Sequence, residues 1–211
     1  MIDSTRFARA NSATRAHRFA AATLVALLAG CHARQPHAWK LTDIRGHLPD
    51  LRFRLVGGGG RAVTARDFLG KNVLLYFGYT HCPDACPLTM THLHLVMKKL
   101  GPLAGDVRIL FVSVDPARDT PDLVQTYAAA FDSHAVGLTG PMSEIEALAK
   151  RYRVAFERGP DLGGGAYEVT HSSAIFVFDS KGRARLIASP ADSNDDIAHD
   201  LKILIATEKP A

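Results

Sequence analysis

The residues best suited to chemistry lie in one short stretch, "YFGYTHCPDACPLTM", where Cys82 and Cys86 are separated by three residues and each is followed by a proline. Two thiols at this spacing support three kinds of chemistry: a dithiol–disulfide couple, half of a soft-metal site, or a structural cross-link. An apolar run precedes the pair and a helical pattern follows it, so the cysteines stand at the entrance to a helix. Four helical residues rise about 6 Å, close to the roughly 5.5–6 Å Cα separation that disulfides prefer. The pair can therefore close on itself or chelate one ion, and the spacing leaves both open. A helix N-terminus favours thiolate over thiol, which predicts a depressed pKa for Cys86 at least.

The compartment bears on the choice. Arg6, Arg9, Arg15 and Arg18 precede the apolar run "FAAATLVALLAG" at residues 19–30. That run is short of the about 20 residues a spanning helix needs and has the flanks of a signal-peptide core. It ends in "LAGC" at residues 28–31, which resembles a bacterial lipobox, a signal cleaved before the cysteine so that Cys31 carries the lipid. An ordinary cleaved signal, or an uncleaved anchor, would export the domain equally. The net charge of +4 belongs mostly to this leader, whose four arginines and one aspartate leave the remainder at +1. The basic balance is thus no argument for nucleic acid. With Cys31 acylated, only Cys82 and Cys86 remain as thiols, and in an oxidising compartment they form a disulfide unless reduced or held by a metal.

The elements that must position the pair follow from periodicity. Residues 31–44 read as the lipidated end and a tether, and residues 45–211 as one domain. Leu51, Phe53 and Leu55 alternate like a half-buried strand, and the glycines at 57–60 turn the chain into a hairpin rather than a phosphate cradle. "NVLLYFGY" and "VRILFVSVD" are continuous β-prone runs, hence buried strands. Between them Leu88, Leu93, Leu95, Val96 and Leu100 form a helical stripe ending at Gly101-Pro102. Thr120-Pro121 opens a helix to about Phe131, Ser143 and Glu146 form a capping box, and Ser193 with Asp196 starts a last helix. "AYEV" is expected to pair with "SAIFVFD" in a hairpin, with "ARLIA" next. Strands separated by helices predict an α/β fold with a parallel core and antiparallel additions.

"GKNVLLYFGYTHCPDACPLTM" at residues 70–90, "VSVDPARDTP" at 112–121 and "HSSAIFVFD" at 171–179 together resemble the Sco/SenC family over roughly residues 45–208. The resemblance implies a thioredoxin-like fold, a central mixed sheet flanked by helices, with an N-terminal β-hairpin extension. It implies copper, as Cu(I) or Cu(II), held by Cys82, Cys86 and His171. It also implies delivery of copper to, or preparation of the thiols of, the dinuclear copper centre of cytochrome c oxidase. The expected partners are the copper-bearing oxidase subunit, another periplasmic copper chaperone or a thiol reductase, and the membrane through the lipid, in the bacterial envelope facing the periplasm. The chain is expected to be a monomer. Two thiolates and an imidazole suit Cu(I), and zinc in a structural site would want a fourth protein ligand.

The surrounding residues have plainer readings. His81 assists Cys82 or is simply exposed; His92 and His94 are expected in solvent; Met90 is expected in the core. Asp115, Arg118 and Asp119 match the family motif and are expected to brace their loop and cap the next helix. The family pattern carries an acidic residue before the histidine, where this chain has Thr170. The competing function is a periplasmic thiol–disulfide oxidoreductase in which Cys82 and Cys86 are the catalytic redox pair, and then His171 has no evident task. A peroxidase of the same fold lacks a recognisable activating set, and a structural disulfide has no need of a helix entrance.

Overall fold

A computed structural model describes residues 39–208. The packed body starts earlier than the expected boundary at residue 45. Strand β1 (Thr42–Asp43) forms the edge of the main sheet. The backbone amides of Lys40 and Leu41 donate to the buried Asp200 carboxylate at 2.9 and 2.8 Å, and Leu41 and Ile44 are core residues. The last part of the expected tether therefore belongs to the domain.

The expected hairpin forms from β2 (Arg54–Val56) and β3 (Ala62–Thr64) as a separate two-stranded sheet. Leu51 and Phe53 precede it in extended chain. Gly59 and Gly60 have φ of 69° and 70°, the left-handed region open to glycine. Asp122 accepts the Gly59 amide at 2.6 Å. An acidic partner there leaves nothing for a phosphate, which settles the glycine run as a turn.

Two strands make the centre. β4 (Asn72–Gly78) is buried at every position. After it comes helix α1 (Ala85–Leu100) and then β5 (Val107–Ser113), parallel to β4 and buried except at Arg108. Strands covered on both faces have no polar side to alternate, hence their unbroken apolar runs. The buried stripe of α1 is Cys86, Met90, Leu93, Val96, Met97 and Leu100. Leu88 and Leu95, expected in that stripe, are exposed. Leu93, Val96 and Leu100 face the core as expected, and Cys86, Met90 and Met97 complete that face at three- and four-residue spacing.

Helix α2 (Pro121–Phe131) opens as expected, with Thr120 Oγ1 accepting the Leu123 amide at 3.3 Å. It crosses β6 (Ala135–Leu138) so closely that a Cβ on Gly137 would lie 2.3 Å from the Val124 carbonyl oxygen. Helix α3 (Met142–Arg151) has Pro141 at its cap position and no side-chain cap, so the Ser143–Glu146 box does not form. The chain then makes β7 (Phe156–Arg158), β8 (Val169–His171), β9 (Ile175–Phe178), β10 (Ala184–Ala188) and α4 (Asn194–Glu208). Ser193 Oγ accepts the Asp196 amide at 3.1 Å at the start of α4, as expected.

The six-stranded sheet has the order β1-β10-β9-β4-β5-β6, antiparallel up to β4 and parallel beyond it. This is the mixed sheet flanked by helices that the resemblance implied. One pairing differs: β8 pairs with β7, not β9. The Ser172 amide donates to the Ala155 carbonyl at 3.0 Å, holding the chain to the β7 side before it enters the sheet as β9. Among the described residues no helix is long and apolar enough to cross a membrane.

Candidate metal centre

The central strand β4 ends at Gly78, six residues short of α1, and the intervening turn carries Cys82. Cys86 lies in the first turn of α1. It is fully buried, while Cys82 is half-buried. The Cys86 amide, one of the free N–H groups of the helix start, points at Cys82 Sγ from 3.3 Å. Gly78 makes room for the second sulfur: a Cβ there would lie 3.0 Å from Cys86 Sγ and 2.7 Å from a Phe111 ring carbon. No side chain other than hydrogen fits between the sheet and the thiol.

His171 arrives from the opposite side, at the end of β8. Its Nε2 is 3.3 Å from Cys86 Sγ and its Nδ1 is 3.1 Å from the Ser172 carbonyl oxygen. A carbonyl only accepts, so Nδ1 carries the proton and the neutral ring turns the lone pair of Nε2 toward the sulfurs. The rings of Tyr76 and Tyr79 each stand edge-on to the imidazole with centroids 6.0 Å away. The three donor atoms all lie within 4.8 Å of one another, and no other such cluster occurs among the described residues. Two soft sulfurs and one imidazole lone pair form a donor set that fits copper.

Burial dominates the electrostatics. The Cys86 thiol is pushed up to about 12 by desolvation, partly opposed by the backbone N–H of Tyr79 and reinforced by the neighbouring Cys82 sulfur. This corrects the expected depression at Cys86: the helix start serves Cys82 Sγ, while the second cysteine points into the core. Desolvation also lowers the His171 pKa, against the Ser172 carbonyl that raises it, so the ring stays neutral. The buried Tyr76 phenol is raised for the same reason. Metallation must therefore expel a proton from Cys86.

The remaining candidates fall outside the cluster. His81 is exposed and its Nδ1 lies near Thr80 Oγ1 (3.1 Å) and Asp119 (3.4 Å). His94 is not simply solvated; its Nδ1 meets Asp132 at 2.9 Å, and His92 is half-buried. Met90 is fully buried in the core, as expected. Asp115, Arg118 and Asp119 do brace the turn after β5, whereas the cap of α2 is Thr120. Thr170 is exposed and pairs across the ribbon with Glu157. Both site cysteines are thiols here, and Cys31 lies outside the described residues. Sequence reasoning missed Gly78, Tyr76, Tyr79 and the Ser172 carbonyl; the aromatics of "YFGYTHC" were the available signal.

The SCO1/SenC family model matches residues 45–206. The human mitochondrial SCO1 homologue is 34% identical over 165 residues, which cover 74% of this chain and 55% of the relative. The chain spans about half the length of the curated relatives it matches. Among solved structures, Bradyrhizobium japonicum ScoI with copper bound has a TM-score of 0.67 at 36% identity, over 74% of this chain and 99% of the other. Arabidopsis thaliana ScoI with copper bound has a TM-score of 0.69 at 31% identity, over 75% and 98%.

Proposed function

The chain belongs to the SCO1/SenC family, and from that premise we propose that it carries copper as cargo for the assembly of a cytochrome c oxidase. Cys82, Cys86 and His171 hold the ion, with the thiols supplying the soft donors and Nε2 the third. The observation that carries this reading is the meeting of two sulfurs with an imidazole whose tautomer is already set for ligation. A disulfide domain has no use for that lone pair. The recipient is the copper-bearing oxidase subunit; another periplasmic copper chaperone supplies the ion, or a thiol reductase keeps the cysteines reduced. Residues 1–30 act as an export signal, Cys31 bears the lipid, and the copper-binding domain works as a monomer on the periplasmic side of a bacterial membrane.

A second reading shares the same thiols. Cys82 and Cys86 stand reduced and adjacent, so the pair can pass two electrons and two protons to a target disulfide and become a disulfide itself. The two readings separate at His171. Anaerobic Cu(I) titration of the reduced chain against a competing chelator, with the His171→Ala variant alongside, tests the first. One-to-one binding that weakens without His171 is expected. Binding indifferent to His171 would leave the thiol couple as the function.

A further inference from the structure

Resting on that reading of the site, we infer that the turn from Asp115 to Asp119 is a clamp that sets the spacing between the cysteine loop and His171, with Arg118 as its positioning residue. The histidine needs such a device. It sits on a ribbon of two short strands outside the main sheet, so the ladder that fixes β4 does nothing for β8.

The clamp has one hand on each half of the site. Asp119 is buried, and its carboxylate accepts the Thr80 amide at 2.9 Å and the Thr80 hydroxyl at 2.6 Å, two residues before Cys82. Ser113 Oγ, at the end of β5, also donates to Asp119 and accepts the Asp115 amide at 3.0 Å. On the other side, Asp115 accepts the Tyr167 hydroxyl at 2.6 Å and the Arg118 Nε. Arg118 Nη1 donates to the Tyr167 carbonyl oxygen at 3.0 Å, and its guanidinium lies 3.5 Å from the Tyr167 ring centre. Tyr167 is four residues before His171. Val169, between them, donates its amide to Tyr79 Oη at 3.2 Å. A five-residue turn thus ties the backbone before the first sulfur ligand to the backbone before the nitrogen ligand.

Arg158 provides the internal comparison. Its guanidinium lies 3.8 Å from the centre of the same Tyr167 ring. Two guanidiniums this close to one ring centre occupy opposite faces. Arg158 supplies charge and stacking from within the ribbon, on β7, whereas Arg118 comes from outside it and adds the bond to the Tyr167 carbonyl and the bond to Asp115. Charge at the ring and tethering of the strand are therefore separable by mutation.

The test compares Arg118→Ala, Arg118→Lys, Tyr167→Phe and Arg158→Ala in the full chain, by Cu(I) competition, by nitrogen hyperfine structure in the Cu(II) spin-resonance spectrum, and by hydrogen exchange of the metal-free protein. Loss of a group that orients a ligand lowers metal affinity by about 10–100-fold, and Arg118→Ala is expected in that range with a diminished imidazole signal. Arg118→Lys is expected not to rescue, since an ammonium lacks the planar fork that serves Asp115, the carbonyl and the ring together. Tyr167→Phe, which removes one hydroxyl, gives a smaller loss and stays informative if the alanine variant does not fold. Exchange at the Val169 amide quickens in Arg118→Ala and not in Arg158→Ala. Wild-type copper binding and imidazole signal in Arg118→Ala, or an equal loss in Arg158→Ala, would overturn the clamp. If the parent chain shows no His171-dependent binding, the reading of the site falls instead, and the exchange arm alone decides the clamp: quickened exchange sustains it and unchanged exchange sinks it.

Discussion

The sulfurs and the imidazole reach one point from unlike supports. Cys86 projects from the first turn of α1, which follows the fully buried strand β4, and its side chain lies against that strand where Gly78 leaves space. His171 ends a three-residue strand paired only with β7, and its place depends on side-chain tethers from Tyr79, Asp115 and Arg118. One half of the site is part of the core; the other is fastened to it. A carrier must hold its cargo and also release it. On the proposed carrier reading, the division would place retention on the thiols and release on the histidine, whose ribbon lies outside the main sheet.

The strongest way to break this comparison is at the rigid half. Cys86→Ser removes the soft donor common to both readings, so Cu(I) competition should show no one-to-one binding and disulfide formation should vanish with it. His171→Ala should weaken copper retention but leave disulfide formation in place, measured by thiol titration after mild oxidation. Equal damage from both variants would mean that the halves are not functionally distinct.

Proton linkage sharpens the same contrast. The Cys86 thiol is raised from 9.0 to about 12 by burial, so between those values the unfolded chain sheds a proton that the folded chain keeps. Stability present below pH 9 is therefore lost as pH rises toward 12. Denaturant titration of the reduced, metal-free protein across that window should show the loss, and Cys86→Ser should flatten it. Copper affinity runs the other way. Binding expels the Cys86 proton, so the apparent affinity should rise at least about tenfold per pH unit.

Two substitutions probe packing on each side. Gly78→Ala forces a methyl against Phe111 and the Cys86 sulfur, and overpacking of this kind costs about 1–3 kcal/mol. Tyr79→Phe orphans the Val169 amide, at about 1–3 kcal/mol for a buried donor, but the ribbon can relax toward water and recover part of it. Chemical denaturation should rank the glycine change first. The tyrosine change should instead appear in faster local exchange of β8.

The two halves were also unequally legible in the sequence. β4 and β5 were plain because strands buried on both faces have uniform composition, and the cysteine pair was plain because its spacing is local. The stripe of α1 is only partly legible: Leu93, Val96 and Leu100 face the core, but leucine type alone does not tell that Leu88 and Leu95 are exposed while Cys86 and Met97 are buried. The thiol pKa is not legible in the sequence, because a helix start and a desolvated core act on Cys86 in opposite directions and burial is invisible until the helix is docked. His171 could be named only through the family resemblance. A lone histidine near a strand end has no local signal, and the pairing of β8 with β7 is decided by Ala155 and Ser172 across a long loop. Local chemistry was legible; the convergence of distant segments was not.

The smallest expected effect concerns Thr170, which stands where the family pattern has an acidic residue. It pairs directly with Glu157 on β7, so the facing strand already carries an acidic residue opposite this position. Thr170→Asp would place two carboxylates opposite each other, a like-charge pair worth less than about 1 kcal/mol on an exposed ribbon. Copper affinity should change by less than about tenfold, the equivalent of 1.4 kcal/mol. Adding Glu157→Gln should restore the ribbon, because the charge has then moved from one strand to the other. If Thr170→Asp changes copper binding strongly and Glu157→Gln does not reverse it, the residue before the histidine acts on the ion itself rather than on the strand that presents the ligand.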